Sequence, residues 1–170
     1  MSFSDQDAFL AEVLNNKVDK EDIPEKVSTE LIENITTREL VNLLNDFSFC
    51  NAQIDLDDGD SIFSVSVEAA RLLFFSNNSW SAHCGVDFFG VMVTIPLGFD
   101  TDFISKFNQN TKIGRLYTIN QSCEATIYRV DVHLTGGVSK RHIYYMIKTF
   151  IDCFKQLYAG LLAKEGVYEQ

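Results

Sequence analysis

The amino-acid sequence predicts an α+β domain in which helices pack against an antiparallel sheet. Two observations lead there. Apolar residues alternate with period two through the middle of the chain, between turn signals close enough for hairpins. The closing segment instead repeats its apolar residues every three or four positions, which is helical spacing. Hairpin-linked strands with helices segregated from them make an antiparallel α+β arrangement rather than a parallel α/β one.

The elements follow in order. Ser4, followed by Asp7, suits a helix N-cap, with Phe9, Leu10, Val13 and Leu14 on one face. Ile23-Pro24 opens a second short helical pattern of Val27, Leu31, Ile32 and Ile35. Thr36-Thr37-Arg38-Glu39 reads as a capping box, ahead of a stripe formed by Leu40, Leu43, Leu44 and Phe47. NAQIDLDDGDSIFSVSV then alternates around Asp58-Gly59, a pair suited to the positive φ angles of a type I′ turn. ARLLFFS continues the meander, NNS turns it, and WSAHCGVDFF with VMVTI supplies one or two further strands, ended by Pro96 and Gly98. Asp100 or Thr101 caps a helix carrying Phe103, Ile104 and Phe107, which Gly114 is expected to stop. RLYTI and, after the NQS turn, a strand with Tyr128, Val130, Val132 and Leu134 on one face complete the sheet. Ile127, Arg129, Asp131 and His133 fall on that strand's opposite face. The last helix runs from about Ile143 to Leu162, with Gly166 where a C-cap belongs.

Composition narrows the function. A chain of 170 residues, 46% hydrophobic, can bury a real core in one domain. Its net charge is −10, unevenly spread: residues 1–60 hold 15 acidic against 4 basic side chains, and residues 61–170 hold 9 against 10. That acidity argues against nucleic acid and anionic membrane as partners, since both require neutralisation by cations. The opening MSFSDQDAFLAEVLN lacks the basic, apolar pattern of a signal peptide. The longest uncharged apolar run, Phe88 to Phe99, is 12 residues, short of the roughly 20 a membrane helix needs. Cys50, Cys84, Cys123 and Cys153 form no CxxC pair and are expected to be free, mostly buried thiols. A cytoplasmic protein is expected.

Chemical motifs are sparse. In LTGGVSKRHI, strand, glycines and helix succeed one another as in a phosphate cradle. A P-loop, however, needs GxxxxGK followed by Ser or Thr, and here Gly136 and Gly137 are adjacent and Ser139 precedes Lys140. The glycines suit a turn and Ser139 a helix cap. A weak anion site at Gly136, Gly137, Ser139, Lys140 and Arg141 is the functional alternative. DLDDGD fails as a calcium loop: with Gly59 in the sixth position, Ile54, Leu56 and Val65 would stand at ligand positions. His83 and Cys84 are strand neighbours expected to face apart, and GxSxG, HExxH and GxGxxG are all missing. No catalytic residue, metal ligand or cofactor is therefore expected, and Lys106, Lys112, Arg115, Arg129, Lys140 and Arg141 read as solvated surface. Phe74, Phe75, Trp80, Phe88 and Phe89 remain. They are core residues by composition, but one member of each adjacent pair must face away from the helices, which makes the group the candidate partner-binding surface.

FNQNTKIGRLYT, a following strand ending VDVHLTGGVS and the long apolar helix resemble the YbjN domain family. Phe107-Asn108, Asn110, Gly114-Arg115 and Gly136-Gly137 carry the second half of the likeness; ITTRELVNLLNDF and IDLDDGDSI carry the first. The resemblance spans about Ile35 to Ala163, leaving residues 1–34 as an N-terminal helical extension to a YbjN-like domain over 35–170. It implies the type III secretion chaperone-like fold, in the order αβββαββα, and a regulator of bacterial sensory transduction or secretion. Proteins of that fold include small acidic dimers that bind other proteins without catalysis. The expectation is thus a non-enzymatic protein-interaction or chaperone-like regulator, with a protein client or a second copy as partner. The alternative is a small-ligand sensor or enzyme with a pocket near the Gly136-Gly137 turn. Because those glycines are spaced for a turn, calorimetry with ATP and GTP is expected to detect no micromolar site.

Overall fold

A computed structural model describes residues 29–45, 50–51, 62–67, 70–96, 98–119 and 125–164. Its elements are β1 (Leu31–Ile32), α1 (Thr37–Asn45), β2 (Cys50–Asn51), β3 (Ile62–Val67), β4 (Ala70–Phe75), β5 (Phe88–Ile95), α2 (Thr101–Asn110), β6 (Arg115–Thr118), β7 (Thr126–His133), β8 (Val138–Ser139) and α3 (Lys140–Lys164). Six strands form one sheet in the order β2-β3-β4-β5-β7-β6, and β1 pairs with β8 in a small second sheet. β2 with β3, β3 with β4 and β4 with β5 are all antiparallel, so the fold is α+β. The chain divides into two compact units, one built on Lys20–Val93 together with Arg129–Ile147, the other on Met1–Asp19, Thr94–Tyr128 and Lys148–Gln170.

In the first unit, register decides the core. Phe63 stands opposite Phe74, and Phe74 opposite Val91. Alternation then buries Phe63, Val65, Leu72, Phe74, Phe89 and Val91 on a single face. Trp80, 1% exposed, completes this layer. Its ring lies 5.1 Å from that of Phe63 and 5.5 Å from that of Phe89, and its indole N–H donates to the Ile35 carbonyl at 2.9 Å. That bond satisfies a polar group which would otherwise be costly to bury.

The capping box forms as the sequence predicts. Thr36 Oγ1 accepts from the Glu39 N–H at 3.2 Å, and Glu39 Oε2 accepts from the Thr36 N–H at 3.0 Å. This hydrogen bond from Thr36 holds the Glu39 carboxyl below its ordinary range. Leu40, Leu43 and Leu44 are buried.

Three expectations need correction here. Leu31 and Ile32 are not helical: they form β1, with Leu31 opposite Ser139 and Ile32 opposite Val138, while Ile35 bridges Val86. Backbone pairing with a distant segment outweighs the local helical spacing. Trp80 to Gly85 form a loop rather than a strand; Ser81 Oγ accepts from the His83 and Cys84 N–H groups, a local bond that competes with ladder pairing. Thus His83 and Cys84 are not strand neighbours. The helices expected over 1–28, the turn at Asp58-Gly59, the NQS turn, Phe47 and Gly166 lie outside the described residues.

The second unit is organised around Tyr128. Its ring is stacked on Phe150 at 4.5 Å, meets Phe107 edge-on at 5.8 Å, and its hydroxyl donates to the Ile113 carbonyl at 2.7 Å. Gly114, at φ 74°, passes where a Cβ would collide with this ring. Helix α2 ends at Asn110, with Thr111 as its extended C-cap, so Gly114 serves the Tyr128 contact rather than stopping the helix. Asp100 is the N-cap, its Oδ1 accepting from the Phe103 N–H at 2.8 Å.

β6 is the last strand in the sheet order. The Asn108 side chain engages it as a neighbouring strand would: its amide donates to the Leu116 carbonyl at 2.9 Å, and its Oδ1 accepts from the Leu116 N–H at 2.8 Å. Arg115 covers the adjacent Gly114 carbonyl at 2.7 Å. Asn108→Ala leaves both Leu116 groups unmatched and should cost about 1–3 kcal/mol. It should appear in urea unfolding as a lower midpoint at unchanged slope, with Asn108→Asp, which keeps only the acceptor, falling between.

Candidate functional site

The sheet face opposite the Trp80 layer is built in the first unit by alternate residues of β4, β5 and β7. Leu73, Phe75, Phe88 and Met92 are half-buried there, whereas Arg71, Asp131 and His133 are exposed. Leu73 stands opposite Met92, and Phe75 opposite Gly90. The absent side chain at Gly90 matters: a Cβ there would meet the Phe75 ring, so glycine lets the ring lie flat across the neighbouring strand. Arg129 covers the ring from above, its guanidinium carbon 4.6 Å from the centroid. Arg129 Nε donates to Asp131 Oδ1 at 2.8 Å. Beside this stack, Phe88 packs on His133 with ring centroids 4.8 Å apart.

The five aromatic candidates therefore separate. Phe75 and Phe88 lie on this partly open face. Phe74, Trp80 and Phe89 are at most 1% exposed and cannot contact a partner from the folded domain. Alternation removes Phe74 and Phe89 to the core, and the indole bond to Ile35 holds Trp80 there. Period-two alternation alone puts Arg129, Asp131 and His133 on one face of their strand and assigns them no part in a site. The contact with Phe75 arises from pairing between distant strands.

The anion-site candidates have structural duties. Gly136 and Gly137 hold φ of 87° and 89° in the turn between β7 and β8, just ahead of α3. Ser139 Oγ caps that helix by accepting from the His142 N–H at 3.1 Å. Lys140 Nζ lies 3.4 Å from Glu39 Oε1, across from the capping box. Of the five, Arg141 is exposed without such a duty. Among the described residues, no group of three or more His, Cys, Asp or Glu could hold a metal ion, and no helix is long and apolar enough to cross a membrane.

No protein-family model, curated protein or solved structure matches this chain.

Cys84 and Cys153 are free thiols as expected, but Cys84 departs from the expected burial. Cys84 is exposed in its loop, whereas Cys153 is half-buried and its pKa is raised, chiefly by burial. Cys50 and Cys123 are not described at the side-chain level. Native-state labelling should modify Cys84 quickly and Cys153 slowly, because thiolate is the reactive form. Cys84→Ser should remove a fast phase, and Cys153→Ser should leave it in place.

Proposed function

We propose that the protein is a non-enzymatic protein-interaction or chaperone-like regulator of YbjN type, acting through the face that carries Phe75 and Phe88. The observation that carries this reading is the grouping of Leu73, Phe75, Phe88 and Met92, all half-buried, on the side of the strands away from the Trp80 core. Fully burying one such ring is worth about 1.5–3 kcal/mol relative to full exposure. Half-buried rings retain part of that gain, and several together can drive association. Supporting the family reading, the helices and the strands of four residues or more run helix, three strands, helix, two strands, helix.

On this reading Phe88→Asp weakens association and leaves the circular dichroism spectrum unchanged, because Phe88 lies outside the core. Trp80→Asp unfolds the domain instead. Sedimentation velocity across a concentration series distinguishes a homodimer from a monomer awaiting a client. If the chain is strictly monomeric and Phe88→Asp also leaves client capture unchanged, the reading is wrong.

A further inference from the structure

The geometry around Arg129 points to the chemistry of the occupant. We propose that this face receives an acidic peptide segment of another protein, which brings carboxylates to Arg129 and to Arg71 and an aliphatic or aromatic side chain onto Phe75 and Phe88. The inference rests on the reading of the face as an interaction surface and narrows it to one class of partner.

Three observations support it. First, the Arg129 guanidinium is already oriented. Its central carbon lies over the Phe75 ring, 4.6 Å from the centroid, and Asp131 holds Nε at 2.8 Å. Its two terminal nitrogens make no hydrogen bond among the described residues, so the end that grips a carboxylate in a bidentate pair is available. Second, the charges do not cancel. Among the described residues of this unit, the face carries Arg71 and Arg129 against Asp131, and Asp131 is already engaged by Arg129. Among the described residues no acidic group pairs with Arg71. Third, the described residues leave the face locally positive on a chain whose net charge is −10. A two-fold homodimer through the same patch would bring two copies of one net-positive surface together, and like charges meeting in an interface are unfavourable. A foreign acidic segment is complementary to both the charge and the apolar surface.

The test uses the full chain and three short fluorescein-labelled amphipathic peptides, identical in their Leu and Phe positions and carrying Glu, Gln or Lys at the polar ones. Fluorescence anisotropy should give the Glu peptide at least about tenfold tighter binding than the Gln peptide, the difference shrinking as salt rises. The Lys peptide should bind weakest. Arg71→Gln and Arg129→Gln should each weaken the Glu peptide by about five- to tenfold and leave the Gln peptide unchanged. Arg71→Lys, at an exposed position, should retain most of the binding. Equal affinity for the Glu and Gln peptides, with Phe88→Asp weakening both, would overturn the carboxylate inference and leave the interaction surface standing. Concentration-dependent dimers broken by Phe88→Asp would assign the face to a second copy and also overturn it. If no peptide binds and Phe88→Asp changes neither self-association nor client capture, this inference and the wider reading fall together.

Discussion

Adjacent residues of a β-strand cannot share a face, and two pairs of neighbouring phenylalanines make that constraint govern the first unit. Phe74 and Phe89 are both 0% exposed, so Phe75 and Phe88 must point the other way. The strand register is tied to the same choice. With Phe74 opposite Val91, Phe75 comes opposite Gly90, the position with room for a ring laid across the strand. A one-residue slip would exchange the faces, exposing Phe74 and driving Phe75 into the layer beneath Trp80. Core formation and the exposure of the outer face are therefore consequences of one register, and neither can be altered alone.

The second unit meets a different demand with similar economy. A buried tyrosine must place its hydroxyl, and Tyr128 does so on the Ile113 carbonyl. That requires the chain to pass close to the ring, and Gly114 allows it. The FNQNTKIGR segment then becomes intelligible residue by residue. Phe107 packs on Tyr128, Asn108 pairs with the Leu116 backbone groups of β6, and Asn110 caps the Lys106 carbonyl at 2.7 Å. Arg115 closes the turn through the Thr111 and Gly114 carbonyls. Burial raises the Tyr128 hydroxyl far above its ordinary pKa, as it raises the neighbouring Cys153 thiol. Both are neutral structural groups near neutral pH. The segment that looks most motif-like is accounted for by architecture.

Local rules recovered what depends on local interactions. The Thr36–Glu39 capping box, the Asp100 cap, the Ser139 cap and the long terminal helix all involve residues within a few positions of one another, so spacing alone reveals them. The misread segments depend on distant partners. Leu31 and Ile32 pair with residues more than 100 positions away, and nothing in their own spacing announces it. Trp80 is held in the core by a carbonyl 45 residues earlier, and Cys84 is exposed because its loop is tied to Ser81 rather than to a strand. Of the outer face, the phenylalanine pairs were legible through alternation. The Arg129 stack was not, because strand pairing creates the contact with Phe75.

The polar groups on that face do little for stability. An ion pair as open as Arg129–Asp131, with side chains 36% and 38% exposed, contributes roughly 0–1 kcal/mol, and an exposed cation–π contact about 0.5–1. Replacing Arg129 by a plain apolar residue would cover Phe75 as well, at the cost of a larger patch prone to nonspecific contact. What arginine adds is direction: a planar cation fixed from below by a ring and from the side by a carboxylate. A group held in place this way has already lost most of the rotamer freedom that binding would otherwise remove. Its Asp131 pairing is also weak enough for an incoming carboxylate to share the guanidinium without large penalty. The face thus joins apolar area, which favours association with many surfaces, to one oriented charge that favours few of them.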